Sequence, residues 1–331
     1  MRVIWMYGFC LVVWGLNFIA VKIQGTPVSL EVSLSYRLVG AALIFLVFAW
    51  GIRPTGQPSR KDVWPLVTFG VCNFALSYLC LYYATIWISA ALVTLLFSLK
   101  TVLTPIALRI FLGDRLHPRI LLGGVIGFTG VCILIYPLLE GSSSTTDLKG
   151  IGLALLGTVL TAVGDASSAR NARHRINPIY SNSVGFVVAA LLLLVICAFQ
   201  GQSFHLPMSV SYLGALVYLT VVASFAAWMF YLKLVEEIGA ALSSYMVALF
   251  PAVGGIASVI IGDSKPTLYL LFGCLLGCIG AAIALGVRLP SPRSVLPRRS
   301  YPALQGGAVE TAAGAETERD RKIERHGTDH R

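Results

Sequence analysis

Charge is what this 331-residue chain has least of: 12% of its residues are Asp, Glu, Lys or Arg. A soluble domain carries about 25% charged residues to coat its surface. With 56% hydrophobic residues and a mean hydropathy of +0.79, the chain cannot cover a water-facing surface, so a bilayer must be its solvent. Catalytic patterns are missing as well. There is no Walker phosphate loop, no H-E-x-x-H, no G-x-S-x-G and no carboxylate pair within an apolar run, so neither ATP-driven work nor an enzyme is expected. The seven cysteines all sit in apolar segments, and Cys274 and Cys278, one helical turn apart, have no His or acidic companion. They read as packing residues, with neither metal nor cofactor expected. The net charge of +10 is not gathered in one block or on one face, so no nucleic-acid partner is expected. Lipid and a small-molecule substrate are the partners expected.

What the chain has is repetition. Ile88, Ala90, Ala91 and Leu92 recur 150 residues later as Ile238, Ala240, Ala241 and Leu242, and Gly113-Asp114 recurs as Gly262-Asp263 at a shift of 149. Ser35, Val39, Ala41, Ala42, Leu43, Leu46 and Val47 match Ser183, Val187, Ala189, Ala190, Leu191, Leu194 and Val195 at a shift of 148. One membrane unit is used twice, the usual plan of a secondary transporter.

A run of about 20 apolar residues crosses a hydrocarbon core of about 30 Å. Ten such runs are expected, at 3–23, 33–50, 63–83, 89–111, 119–138, 150–172, 179–199, 209–231, 239–261 and 267–288. The first is too long for a signal-peptide core and no polar domain follows it, so it reads as a spanning helix. The basic residues alternate by loop. One side holds eleven Lys and Arg, counting Arg2, Arg53, Arg60, Lys61, Arg109, Arg115, Arg119, Arg170, Arg173, Arg175 and Lys233. The other holds two, Lys149 and Lys265, or four with Lys22 and Arg37 taken as helix-end residues. The positive-inside rule then puts both termini in the cytoplasm. Five spans per copy is odd, so the second copy enters the membrane inverted, with substrate near the midplane. The expected organisation is a first five-helix repeat over 1–138, an extracytoplasmic linker over 139–149, an inverted repeat over 150–288, and a disordered cytoplasmic tail over 289–331.

Polar residues within spans are costly and therefore informative. Lys100 lies halfway along the fourth span with no acidic residue within a turn, so its partner is another helix, a backbone carbonyl or the substrate, unless the ammonium is simply hydrated. Asn17 and Asp165 are equivalent at the repeat shift of 148, as are Lys22 and Arg170. They read either as opposing gates, with Asp165 a candidate proton site, or as local contacts, with Asp165 anchored by Arg170. The anchor is the preferred reading. Phe74, Tyr78 and Tyr82 form an aromatic stripe on the third span, suited to a flat or apolar solute or to packing. Trp14 and Trp228 add to it, while Tyr83, Trp87 and Tyr231 are assigned to the interfacial belt. Pro105 and Pro251 interrupt the equivalent fourth and ninth spans, as in mobile, cavity-lining helices. Gly123, Gly127 and Gly130 in span five, with Gly273, Gly277 and Gly280 in span ten, have the spacing that lets helices cross closely.

Trp14-Gly15-Leu16-Asn17-Phe18-Ile19-Ala20-Val21-Lys22, followed by Ser35-Tyr36-Arg37-Leu38 and Ala41-Ala42-Leu43, resembles the drug/metabolite transporter superfamily, specifically its EamA-type exporters. The likeness continues through Tyr82-Tyr83-Ala84, Ala90-Ala91-Leu92 and the two Gly-Asp pairs, over about residues 3 to 288. The family usually has Glu where this chain has Asp114 and Asp263, a change from which little functional effect is expected. The resemblance implies an all-α membrane protein of the bacterial inner membrane, with ten helices in two inverted five-helix repeats around a central cavity. Helices one, three, four, six, eight and nine would line it. It implies alternating-access export of small metabolites or drugs, and one branch exports aromatic and hydrophobic amino acids. The expected cavity residues are Trp14, Asn17, Tyr78, Tyr82, Phe97, Lys100, Trp228 and Tyr245, with Pro105, Pro251 and Asp165 as kink or gate positions. An intramembrane enzyme or lipid-handling protein is the rival class, marked by a lateral opening to lipid beside a polar cluster. A monomer suffices to close the cavity, and a dimer stays open as an alternative.

Overall fold

The helices begin and end where local chemistry dictates. Ser29, Ser89 and Ser209 cap helix starts by accepting from Val32, Leu92 and Tyr212 N–H, and Asn177 caps the helix that opens with Pro178. Gly113 and Gly262 both adopt φ +74°, the left-handed conformation that ends a helix at low cost when no Cβ is present. The repeated Gly-Asp is therefore a helix stop that delivers an aspartate just beyond it.

The computed structural model describes residues 2–140, 145–238 and 246–285. Among these the chain is helical without a strand: α1 (Arg2–Gln24), α2 (Leu30–Ile52), α3 (Arg60–Trp87), α4 (Ala90–Leu112), α5 (Pro118–Glu140), α6 (Thr145–Arg173), α7 (Pro178–Phe199), α8 (Val210–Tyr231), α9 (Met246–Ile260) and α10 (Leu268–Leu285). The first eight are long and apolar enough to cross a bilayer, and α9 and α10 hold shorter apolar stretches. The start of the ninth expected span and the tail lie outside the described residues.

Polarity is inside out. Leu121, Leu122, Val125 and Phe128 of α5, and Leu268, Leu271, Phe272 and Leu275 of α10, are exposed at helical spacing. Meanwhile Ser33, Arg37, Asn73, Ser77, Thr94, Thr158 and Ser224 are buried. Such a surface suits lipid.

The two copies pack reciprocally. α1 lies on α8 and α9 of the second copy, while the equivalent α6 lies on α3 and α4 of the first. Equivalents also pair across the boundary, α2 with α7, α4 with α9 and α5 with α10, and α2 packs on α8 as its equivalent α7 packs on α3. This is a two-fold exchange, and with an odd number of helices per copy its axis lies in the membrane plane. The expected glycines serve the α5–α10 contact: a Cβ on Gly130 would fall 2.7 Å from the Gly273 carbonyl oxygen, and one on Gly280 would collide with the Gly127 backbone.

Two features of α3 and α8 escape composition. Gly70–Leu76 and Tyr218–Ala226 are π-helical, and the repeat shift of 148 carries one onto the other. π segments cluster at functional sites because they re-aim side chains off the regular helical face.

Because the obstacle at Gly280 is backbone, Gly280→Leu is expected to cost about 1–3 kcal/mol by overpacking. Gly152, whose Cβ would meet nothing within 4 Å, is expected to accept Ala with an unchanged or higher melting temperature. Thermal unfolding of the two variants in detergent checks the contrast.

Candidate functional site

Two polar networks occupy the seam between the copies, each built around one of the equivalent residues Asn17 and Asp165. In the first, Arg37 of α2 is the hub. Its Nε donates to Ser224 Oγ at 3.0 Å, Nη2 to Asn17 Oδ1 at 3.1 Å and Nη1 to the Tyr82 hydroxyl at 3.4 Å. The guanidinium carbon stands 4.6 Å from the centroid of the Tyr78 ring, a cation–π contact. Ser224 comes from the π segment of α8.

In the second network, Asp165 of α6 accepts from Lys100 Nζ at 3.0 Å, from Thr104 Oγ1 at 2.9 Å and from Asn73 Nδ2 at 3.2 Å. Asn73 comes from the π segment of α3, and it reaches α6 only because Gly164 is there: a Cβ at 164 would sit 2.6 Å from the Cβ of Asn73. Each network thus takes one residue from the π segment of the opposite copy. Lys100 also lies 5.6 Å from the Phe97 ring centroid. It stands just past a turn at Leu99, whose N–H bonds to Leu96 at 3.2 Å. That break in α4 precedes Pro105, while Pro251 lies inside α9.

Aromatic rings join the Arg37 network to α1. Tyr78 packs edge-on to Phe74, Phe74 to Trp228, and Trp228 to Trp14, with centroids 5.4–5.9 Å apart. Trp14 Nε1 donates to the Ala223 carbonyl at 2.9 Å. The indole nitrogen of Trp228 is buried and lies beside the Tyr78 hydroxyl.

Two further ion pairs mark the ends of the seam. On the face opposite the basic loops, Lys22 meets Asp263 at 3.0 Å and donates to the carbonyls of Thr85 and Ile88. Asp263 also accepts from Ala90 N–H at the start of α4, where a helix N-terminus favours an anion. On the basic face, Arg173 meets Asp114 at 2.7 Å. The two aspartates are the repeat-equivalent helix stops. Beside the first pair a cleft of about 690 Å³ opens between Thr26, Glu31, Tyr83, Trp87, Gln200 and Gln202.

Trp14, Asn17, Tyr78, Tyr82, Phe97, Lys100, Asp165 and Trp228 all fall in or beside these networks; Tyr245 lies outside the described residues. Three sequence readings need correction. Asp165 is not anchored by Arg170, which pairs with Asp62; residues five apart on a helix do not face one another. Arg37 is no helix-end residue: α2 begins at Leu30, so Arg37 lies two turns in. Tyr231 does not belong to an interfacial belt but packs on Trp14 and Trp228. The π segments leave little trace in the sequence beyond a polar residue in each, Asn73 and Ser224, inside aromatic helices.

Comparison with known proteins agrees on the class. The sequence model of the EamA-like transporter family matches residues 2–136 and again 148–286. An "Uncharacterized transporter" of Archaeoglobus fulgidus is 24% identical over 276 residues, spanning 83% of this chain and 95% of the relative. The "Uncharacterized transporter YyaM" of Bacillus subtilis is 26% identical over 255 residues, 75% and 81%. A solved crystal structure aligns with a TM-score of 0.59 at 22% identity, covering 85% of this chain and 96% of its own, a likeness of fold alone.

Lys100 and Asp165 are about a fifth exposed, so removing one charge strands the other. Asp165→Asn and Lys100→Met are each expected to cost on the order of 3 kcal/mol, and the double variant is expected to regain most of that loss. Unfolding midpoints of the four proteins check it.

Proposed function

Because this chain belongs to the EamA-like transporter family, we propose that it is a secondary exporter or facilitator of amino acids, aromatic or hydrophobic ones first, working by alternating access. The observation that carries this reading is the placement of Lys22–Asp263 and Arg173–Asp114 at opposite ends of one seam. Each pair ties the end of the first helix of one copy to the helix stop of the other. Opening one end while the other stays latched is the motion alternating access requires, and the two-fold exchange makes both ends structurally equivalent. By the positive-inside rule the Arg173–Asp114 end faces the cytoplasm of a bacterial inner membrane.

Amino acids suit the interior. The rings of Tyr78, Trp228 and Trp14, joined edge-on through Phe74, make an apolar lining, and cations stand beside it. A lateral groove does exist, lined by Leu43, Ile44, Val47, Phe48, Gly51, Ile52 and Phe225. It is apolar throughout, so nothing there favours an intramembrane enzyme or a lipid-handling site.

The test is flux of labelled phenylalanine and leucine into liposomes holding the purified protein. Saturable uptake of phenylalanine above that of empty vesicles is expected, reduced about tenfold or more in a double cysteine variant of Lys22 and Asp263 once oxidised, since a locked end abolishes the cycle. Undiminished uptake in the locked protein would remove the seam from the transport cycle. Absence of uptake for every amino acid would remove that substrate class.

A further inference from the structure

The three cations deep in the helices are not answered alike. Lys22 and Lys100 each meet a carboxylate of the second copy at 3.0 Å. Arg37 is 2% exposed, more deeply buried than either, yet it takes part in no ion pair among the described residues. Its hydrogen-bond partners, Ser224, Asn17 and Tyr82, are neutral. A guanidinium has five N–H donors, and three find partners among the described residues. Where the other cations face an aspartate across the seam, Arg37 faces a serine.

No carboxylate answers it from across the rings. Trp228 lies one helical turn beyond Ser224 on α8, with its indole nitrogen buried beside the Tyr78 hydroxyl. Phe74 and Tyr78 run from that indole to the guanidinium. Among the described residues the region therefore holds a cation and lacks an anion. A buried charge without a counter-charge is costly.

We propose that Arg37 is the receptor for the carboxylate of the transported solute. The planar fork of the guanidinium matches both carboxylate oxygens, while the solute's apolar body lies against Tyr78 and Trp228. The proposal rests on the transporter reading and adds the group that is recognised and the residue that recognises it. Lys100 is the weaker candidate for that role, since Asp165 already meets its charge.

The test is equilibrium binding to the detergent-purified full chain, followed by tryptophan fluorescence, with two isosteric probes: 3-phenylpropionate and 3-phenylpropionamide. The acid is expected to bind about tenfold or more tighter than the amide, the factor a charge-assisted bond adds over a neutral one. Arg37→Gln, which keeps a donor for Ser224, is expected to lose that preference by weakening the acid while leaving the amide within about twofold. Arg37→Lys, with the charge but no fork, is expected to fall between. Equal affinity of the two probes for the wild type, binding of neither, or undiminished acid binding in a monodisperse Arg37→Gln protein would each overturn the proposal. Acid-selective binding without flux in liposomes would instead leave the receptor in place and count against the transport reading.

Discussion

Charge in an apolar medium must be met by a partner within hydrogen-bonding distance, and in this chain the partner is found across the boundary between the two copies. The Lys and Arg ion pairs Arg2–Glu237, Lys22–Asp263, Lys100–Asp165, Arg170–Asp62 and Arg173–Asp114 each join one copy to the other, and His174 Nδ1 also lies 3.6 Å from Asp62. Within the helices the division is one-sided. The cations Lys22, Arg37 and Lys100 belong to the first copy, and the carboxylates that meet Lys22 and Lys100, Asp263 and Asp165, belong to the second. The seam is thus held by contacts that depend on geometry. Unlike an apolar surface, which slides at little cost, a charged contact is either made or broken, which gives the boundary discrete states.

The π segments give these contacts their direction. A regular helix presents a repeating face, and a wider stretch with i→i+5 hydrogen bonds re-aims one or two side chains. Asn73 and Ser224 are the residues so placed, and each enters the network centred on the other copy's share of the pair Asn17 and Asp165. Duplication supplied two equivalent frames, and divergence within them made one network an answered ion pair and the other an unanswered cation. On the proposed reading, that asymmetry gives a two-fold scaffold its chemical preference.

Much of the scaffold was legible in the sequence because hydrophobic run length, loop charge and self-similarity are local properties. The duplicated Ile-x-Ala-Ala-Leu and Gly-Asp fragments pointed to two copies, and the odd span number to their inversion. The polar residues of the site were also visible, since Asn17, Lys100 and Asp165 stand out in apolar helices. Their partners were not, because pairing across the seam is set by tertiary packing: Lys100 and Asp165 are 65 positions apart and on different helices. Arg37 was misread for a narrower reason. A hydropathy reading starts the second span at 33, while the helix starts at Leu30 behind its Ser29 cap. Those three residues move the guanidinium from the membrane edge to the interior. Asp114 and Asp263 looked like interchangeable helix ends, and only the fold shows that each closes an ion pair with the opposite copy.

The central claim is that the seam opens at one end while it closes at the other. Its most direct measurement is a pair of spin-label distances in liposomes, on a protein whose native cysteines have been replaced. Labels at Ile23 and Ile261 would report the Lys22–Asp263 end, and labels at Phe111 and Ala172 the Arg173–Asp114 end; all four positions are exposed. The account predicts two populations at each end, with a transported solute shifting the two distances in opposite senses. A single, unchanging distance at both ends, with solute present and absent, would contradict it.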